Sequence, residues 1–198
     1  KIPRKSFMRV MIVGGNQMKY MASRYYDYAN KLCNGFARNN HMVVRFFDRD
    51  VARLENFFRT RRLGSTGANK KLLEQVESFQ PNLIIFIHAD VIQLETLERL
   101  KERNPATKFA QISIDPIFIP GNVDRLSVKG PLLDATFLTT AGEGLKKVSN
   151  GRPTYYIPNI TDASVETGRA FDEKCEIDLI FVCGSFDREG DDPRQALI

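Results

Sequence analysis

An α/β fold, built on a doubly wound and mostly parallel sheet covered on both faces, is what this sequence predicts. Three observations carry the expectation. Short apolar runs alternate with amphipathic stretches of helical period along the chain. The runs are continuously apolar instead of alternating, as strands buried on both faces require. Most of them end in glycine, histidine, aspartate or threonine, the residue types expected where strands of such a sheet open onto a cleft.

The first strand is Met8–Val13 (MRVMIV), stopped by Gly14-Gly15. A helix follows over Tyr25–Asn39, with Tyr25, Tyr28, Ala29, Leu32 and Phe36 on one face. Asn39-Asn40 ends it, His41 reads as a surface turn residue, and Met42–Phe47 is the second strand. Residues 48–69 are polar, Arg-rich and poorly patterned, and are expected to form a loop holding Gly64-Ser65-Thr66-Gly67. Leu72, Leu73, Val76 and Phe79 make the next helical face, broken by Pro81-Asn82. Leu83–Ile87 (LIIFI) is the most apolar run and the third strand. Asp90 is expected to cap a helix carrying Val91, Leu94, Leu97 and Leu100. Lys108–Ile114 is the fourth strand and runs into Asp115-Pro116. Ala135–Thr139 is the fifth, followed by a helix over Glu143–Ser149. Thr154–Ile157 is the sixth, stopped by Pro158-Asn159.

These segments define one domain over residues 1–158. Residues 159–176 are polar and irregular and read as a linker. Ile177–Val182 is expected to be a seventh strand, ending in Cys183-Gly184-Ser185, with Pro193 in the first turn of a helix. Residues 177–198 therefore read as the opening of a second domain, and a chain that begins without Met reads as a fragment.

Length and charge agree with that division. The chain has 198 residues, within the range of roughly 100–200 for one domain or slightly more. Its net charge of +5 hides a split. Residues 1–71 hold 16 Lys/Arg against four Asp/Glu, and the remainder 13 against 20. Such polarity points to a basic face with an anionic client. Cys33, Cys175 and Cys183 are too dispersed for a zinc site or a disulfide framework, and read as reduced thiols. There is no apolar run of membrane-spanning length and no signal peptide, which suggests a cytoplasmic protein. Asn159-Ile160-Thr161 is a formal glycosylation sequon with nothing beside it to support secretion.

Candidate site residues follow from position. Gly14-Gly15-Asn16 after the first strand lets backbone approach a phosphate or sugar, or simply makes a tight turn. It is neither a dinucleotide fingerprint nor a phosphate-binding P-loop. His88 directly follows the third strand and could act as a base, orient a hydroxyl, or serve structurally. Asp115 follows the fourth strand, where a substrate role competes with an Asp-Pro turn. Thr139 and Thr140 end the fifth strand and could donate hydroxyl hydrogen bonds, or merely start the next helix. Arg59, Arg61 and Arg62 belong to the basic stretch, either a solvated face or the contact for an anionic partner such as phospholipid head groups. Nucleic-acid-binding patterns are absent. A flavodoxin- or response-regulator-like domain is argued against because no acidic pair follows the first strand and no lysine sits at a late strand end.

Four stretches together resemble the N-terminal half of a GT-B glycosyltransferase, closest to the spore-maturation CgeB-like group. They are MRVMIVGGN (8–16), QPNLIIFIH (80–88), ISIDP with DATFLTT (112–116 and 134–140), and YYIPNITD with EIDLIFVCGSF (155–162 and 176–186). The resemblance implies a Rossmann-like first domain in a two-domain GT-B architecture. It implies sugar transfer from a nucleotide-activated donor to the hydroxyl of a glycan, glycolipid or protein acceptor. The setting would be bacterial surface or spore polysaccharide synthesis, with peripheral contact at the inner face of the plasma membrane. No cofactor or metal is expected, because cationic side chains and a helix N-terminus stabilise the leaving diphosphate. By carry-over His88 and Asp115 are the catalytic candidates. Gly14, Gly15, Asn16, Thr139 and Thr140 face substrate, and Gly184 and Ser185 start the donor-side loop. Since most donor contacts belong to the second domain, residues 1–198 alone are expected to be inactive. The competing expectation is a non-catalytic Rossmann-like module with a basic docking face.

Overall fold

The computed structural model describes residues 6–15, 27–117, 119–168, 174, 176 and 177. It is an α/β domain with one six-stranded, all-parallel sheet. The strands are β1 (Arg9–Gly14), β2 (Met42–Phe46), β3 (Leu83–Ile87), β4 (Lys108–Ser113), β5 (Ala135–Leu138) and β6 (Thr154–Tyr156). Their order is β2-β1-β3-β4-β5-β6. The chain moves outward from β1 to β2, then crosses back to β3 on the other side of β1. The strand order therefore reverses between β1 and β3, and this is where doubly wound sheets open a crevice beyond the carboxyl ends of their strands. Flavodoxin-like domains share the first five positions of this order.

Alternate side chains of each strand enter opposite cores. Met11 and Val13 of β1, with Ile84 and Phe86 of β3, pack under α3 (Ser65–Phe79) and α4 (Leu94–Arg103). Val10 and Ile12, with Ile85 and Ile87, pack under α1 (Tyr28–Arg38), where Ala29 and Cys33 meet them. Both faces are apolar, which is why LIIFI shows no alternation. Asp27 caps α1, its carboxylate accepting the Asn30 N–H at 3.1 Å. Among the described residues no helix is long and apolar enough to cross a membrane.

The structure departs from the sequence reading in four places. Residues 48–69 are not one loop: α2 spans Asp48–Leu54, and α3 begins at Ser65. Gly64 is the N-cap of α3, and Ser65–Gly67 form its first turn. A Cβ on Gly64 would lie 1.6 Å from the Ala52 carbonyl oxygen, so glycine here lets α2 and α3 approach. Second, residues 120–132 form α5 (Pro120–Lys129) and a 3-10 turn over Gly130–Leu132, where no element was expected. Third, Asp90 caps nothing: α4 starts at Leu94 with Gln93 as its N-cap, after turns at residues 90–92. Last, His41 is half-buried, its ring 5.8 Å from that of Phe36. Other differences are small: β1 is shifted by one residue, β2, β4, β5 and β6 each end one residue early, and α6 spans Glu143–Ser149 as expected.

The chain divides into two compact units, Lys1–Asp162 and Ala163–Ile198. The first ends at a buried tether. Asp162, within the polar stretch read as a linker, accepts from Asn34 Nδ2 at 2.8 Å and pairs with Arg38 at 2.6 Å, both on α1. In the second unit the described part includes a turn at Ala163–Val165. The expected seventh strand beyond Ile177, Gly184, Ser185 and the helix at Pro193 lie outside the described residues, as does Asn16.

Candidate functional site

The cleft forms where β3 and β4 end. His88 and Ala89 both have left-handed backbone, with φ of 58° and 43°. The Ala89 N–H donates to the Ile87 carbonyl at 2.7 Å, closing a γ-turn around His88. A γ-turn of positive φ is rare and strained. Two neighbours hold it. Gly14 at the end of β1 comes so close that a Cβ there would lie 2.1 Å from the Ile87 carbonyl oxygen. From α5, the Lys129 ammonium donates to the Ala89 carbonyl.

The turn presents His88 to Asp115, which follows β4, with Nδ1 3.5 Å from Oδ2. Arg125 of α5 stands 3.7 Å from the same carboxylate oxygen. Arg125 also donates to the Asn122 side chain, and Asn122 Nδ2 donates to the Pro116 carbonyl at 2.9 Å. His88, Asp90, Ser113, Asp115, Asn122 and Arg125 thus line one cleft. Burial lowers the imidazole pKa below its ordinary value. Asp115 opposes this, and the Arg49 and Arg125 charges add to it. His88 is therefore neutral near pH 7, the form that accepts a proton.

Beside this dyad lies a second charged group. Asp90 accepts from Arg49 at 2.7 Å and from Arg61 at 3.1 Å. Burial pushes its carboxyl up, but the two arginines outweigh that and hold it below the usual carboxylate range. Asp48, in the first turn of α2, is only 1% exposed. Its Oδ2 accepts the Val91 N–H at 3.2 Å, while Oδ1 has no hydrogen-bond partner among the described residues. Burial raises its pKa to about 6, with Asp90 adding to the shift. Burial likewise lowers the Lys129 pKa, against the opposing charges of Asp48 and Asp90.

The raised Asp48 pKa makes a prediction about stability. An unfolded aspartate titrates near ~3.9, so between about pH 4 and pH 6 the folded chain holds a proton that the unfolded chain has released. This contribution to stability is fully present below pH 4 and is lost as pH rises through 6, on the order of 3 kcal/mol in all. Asp48→Asn is expected to match the parent at pH 4 and exceed it at pH 7.5 in urea unfolding. An equal difference at both pH values would refute the assignment.

The structure brings His88 and Asp115 together and sets Gly14 against the turn that carries His88. Gly15 follows, near α1: a Cβ there would lie 2.5 Å from that of Ala29. Thr139 and Thr140 follow β5 on the same edge, the Thr139 N–H donating to Ser113 at 3.3 Å, but they do not line the His88 cleft. Arg59 and Arg62 are exposed, while Arg61 reaches Asp90. The sequence reading missed Asp48, Asn122, Arg125 and Lys129. Pro120 at the start of α5 was the available signal, since proline is favoured in a first helical turn. A larger groove of about 460 Å³ runs between α3 and α4. It is lined by Leu73 and Glu77 of α3 and Arg99 of α4, away from the strand ends.

No protein-family model matches the chain, and no curated protein matches it. Fold and cleft together define a doubly wound, Rossmann-like α/β domain with a charged cleft beyond the carboxyl ends of β3 and β4.

Proposed function

We propose that this domain is the acceptor side of a metal-independent glycosyltransferase, with His88 as the general base. The observation that carries the reading is the His88–Asp115 pair, 3.5 Å apart, with the imidazole held neutral by burial. Asp115 orients the ring through Nδ1 and stabilises the imidazolium formed when the other ring nitrogen, Nε2, takes the proton of an acceptor hydroxyl. The oxygen then attacks the anomeric carbon of a nucleotide-activated sugar, and the nucleoside diphosphate leaves with the electrons of the broken bond. Separations of catalytic hydrogen bonds are often long before substrate tightens them. Gly14, Gly15 and Asn16 border the donor in this reading. Thr139 and Thr140, beyond the cleft lining, are left to wider acceptor contacts.

The test is a screen of the purified full-length protein against nucleotide sugars, with glycan and glycolipid acceptors, reading nucleoside diphosphate release. Acceptor-dependent release from at least one donor is expected. No release from any donor, with the protein folded, would favour the non-catalytic binding module.

A further inference from the structure

The segment from the last residue of α2 to the start of α3 carries an unusual load of exposed apolar surface. Leu54 is 71% exposed, Phe57 94%, Phe58 72% and Leu63 60%, all within ten residues. Solitary exposed apolar residues are ordinary, but a contiguous group of large ones marks an interaction surface. The two phenylalanine rings pack edge to face, their centroids 5.7 Å apart, so they form one apolar tip.

This exposure is built in. Asn56 Nδ2 donates to the carbonyls of Ala52 at 2.8 Å and Thr60 at 2.7 Å, and Asn56 Oδ1 accepts the Thr60 N–H at 3.1 Å. Gly64 N–H closes the segment on the Thr60 carbonyl at 3.4 Å. These bonds fix the loop's path, while its large side chains face outward.

Charge selects the partner. Arg59, Arg61 and Arg62 flank the tip. The loop's single carboxylate, Glu55, is paired with Lys71 at 3.4 Å. Arg61 is half engaged by Asp90, and Arg59 and Arg62 make no ion pair among the described residues. Exposed aromatic and aliphatic side chains with exposed arginines beside them in the chain suit the interface of an anionic bilayer. There the apolar groups enter the acyl boundary and the guanidinium groups meet lipid phosphates. A nucleic acid would leave Leu54 and Leu63 without a use, and a protein partner would need a matching pocket for a protruding tip.

We infer that residues 54–63 dock this domain on an anionic lipid surface, with Phe57 and Phe58 inserted and Arg59 and Arg62 on the head groups. The inference stands apart from the proposed chemistry, since lipid binding needs no turnover. The test is co-sedimentation of the protein with vesicles of phosphatidylcholine alone and with vesicles in which part of it is replaced by anionic phosphatidylglycerol. Binding to the anionic vesicles is expected, weaker at high salt and on neutral vesicles. Phe57→Ser with Phe58→Ser is expected to lower partitioning at least about tenfold. Arg59→Glu with Arg62→Glu should lower it at least about fivefold for each arginine. Protein left in the supernatant with anionic vesicles would overturn the inference. So would unchanged binding of the Phe double variant, or self-association in solution that the same variant abolishes. Unchanged thermal unfolding of both variants separates a lost contact from a lost fold.

Discussion

In the proposed transferase, exchanging His88 for asparagine is expected to lower turnover about 100- to 10,000-fold while leaving the domain folded. The range is the usual contribution of a positioned general base. Asparagine is the informative replacement because it tolerates left-handed backbone, which residue 88 must adopt at φ 58°. It therefore removes the imidazole without forcing the turn open. The pH profile sharpens the test. Loss of activity on the acid side should follow protonation of His88, below the ordinary histidine range. Asp115→Asn removes a charge that favours the imidazolium, so it should move that limb to still lower pH as well as lower the maximum rate. Arg125→Gln removes a cation that disfavours the imidazolium and should move the limb upward. The remaining charges facing His88, those of Arg49 and Asp90, are untouched by either change. With only two histidines in the chain, NMR titration can follow the shifts directly. Full turnover in His88→Asn would remove the residue from the mechanism, and shifts of the same sign in the two neighbours would refute the electrostatic account.

Gly14→Ala is expected to destabilise the domain by roughly 3–5 kcal/mol, near the top of the range for single substitutions. Two costs combine. Position 14 has φ of 99°, which an L side chain rarely adopts, and such strain costs about 1–3 kcal/mol. The added methyl would also stand 2.1 Å from the Ile87 carbonyl oxygen and 3.1 Å from the Ala89 nitrogen. Both atoms are backbone of the turn that carries His88, so no side-chain rotation relieves the clash. A fall of the thermal midpoint on the order of 10 °C should follow, with about 2–4 °C per kcal/mol for a chain of this size. Because the end of β3 must move, the surviving folded protein should also lose activity. Gly35→Ala is the control: nothing lies within 4 Å of its Cβ position on α1, and helical propensity predicts a gain of about 0.5–1 kcal/mol. A Gly14→Ala midpoint within 2 °C of the parent, about the effect of less than one kcal/mol, would sink the close-approach argument.

How far sequence reasoning reached depended on how much of each element is buried. The LIIFI strand was legible because both its faces enter apolar cores. The helix at 48–54 was not, because among its seven residues only Asp48 and Ala52 are buried, and Arg49, Asp50 and Arg53 break up any apolar stripe. The helix at 120–129 opens on Pro-Gly and buries Asn122 and Leu126 while exposing Val128, so no apolar stripe announced it. That one omission hid half of the site. The meeting of His88 and Asp115 was foreseeable because strand ends in a parallel sheet converge. Arg125 and Lys129, which brace them, arrive from the unrecognised helix. Asp90 was assigned a capping role on its residue type, which carries no information about the two arginines that three-dimensional packing brings to it.

The Asp162 tether also has a meaning for folding order. Asn34 and Asp162 are 128 positions apart in the chain, yet their side chains meet. The segment from β6 must therefore return across the sheet face to reach α1, joining the last part of the domain to the first helix. Contacts of such long loop closure cost the most entropy before they reward it, and they slow the passage from unfolded to native chain. The βα units can assemble neighbour by neighbour, whereas the clasp needs Asp162, which follows all six strands in the chain. A chain emerging from the ribosome would hold most of this sheet while the first helix still waits for its carboxylate.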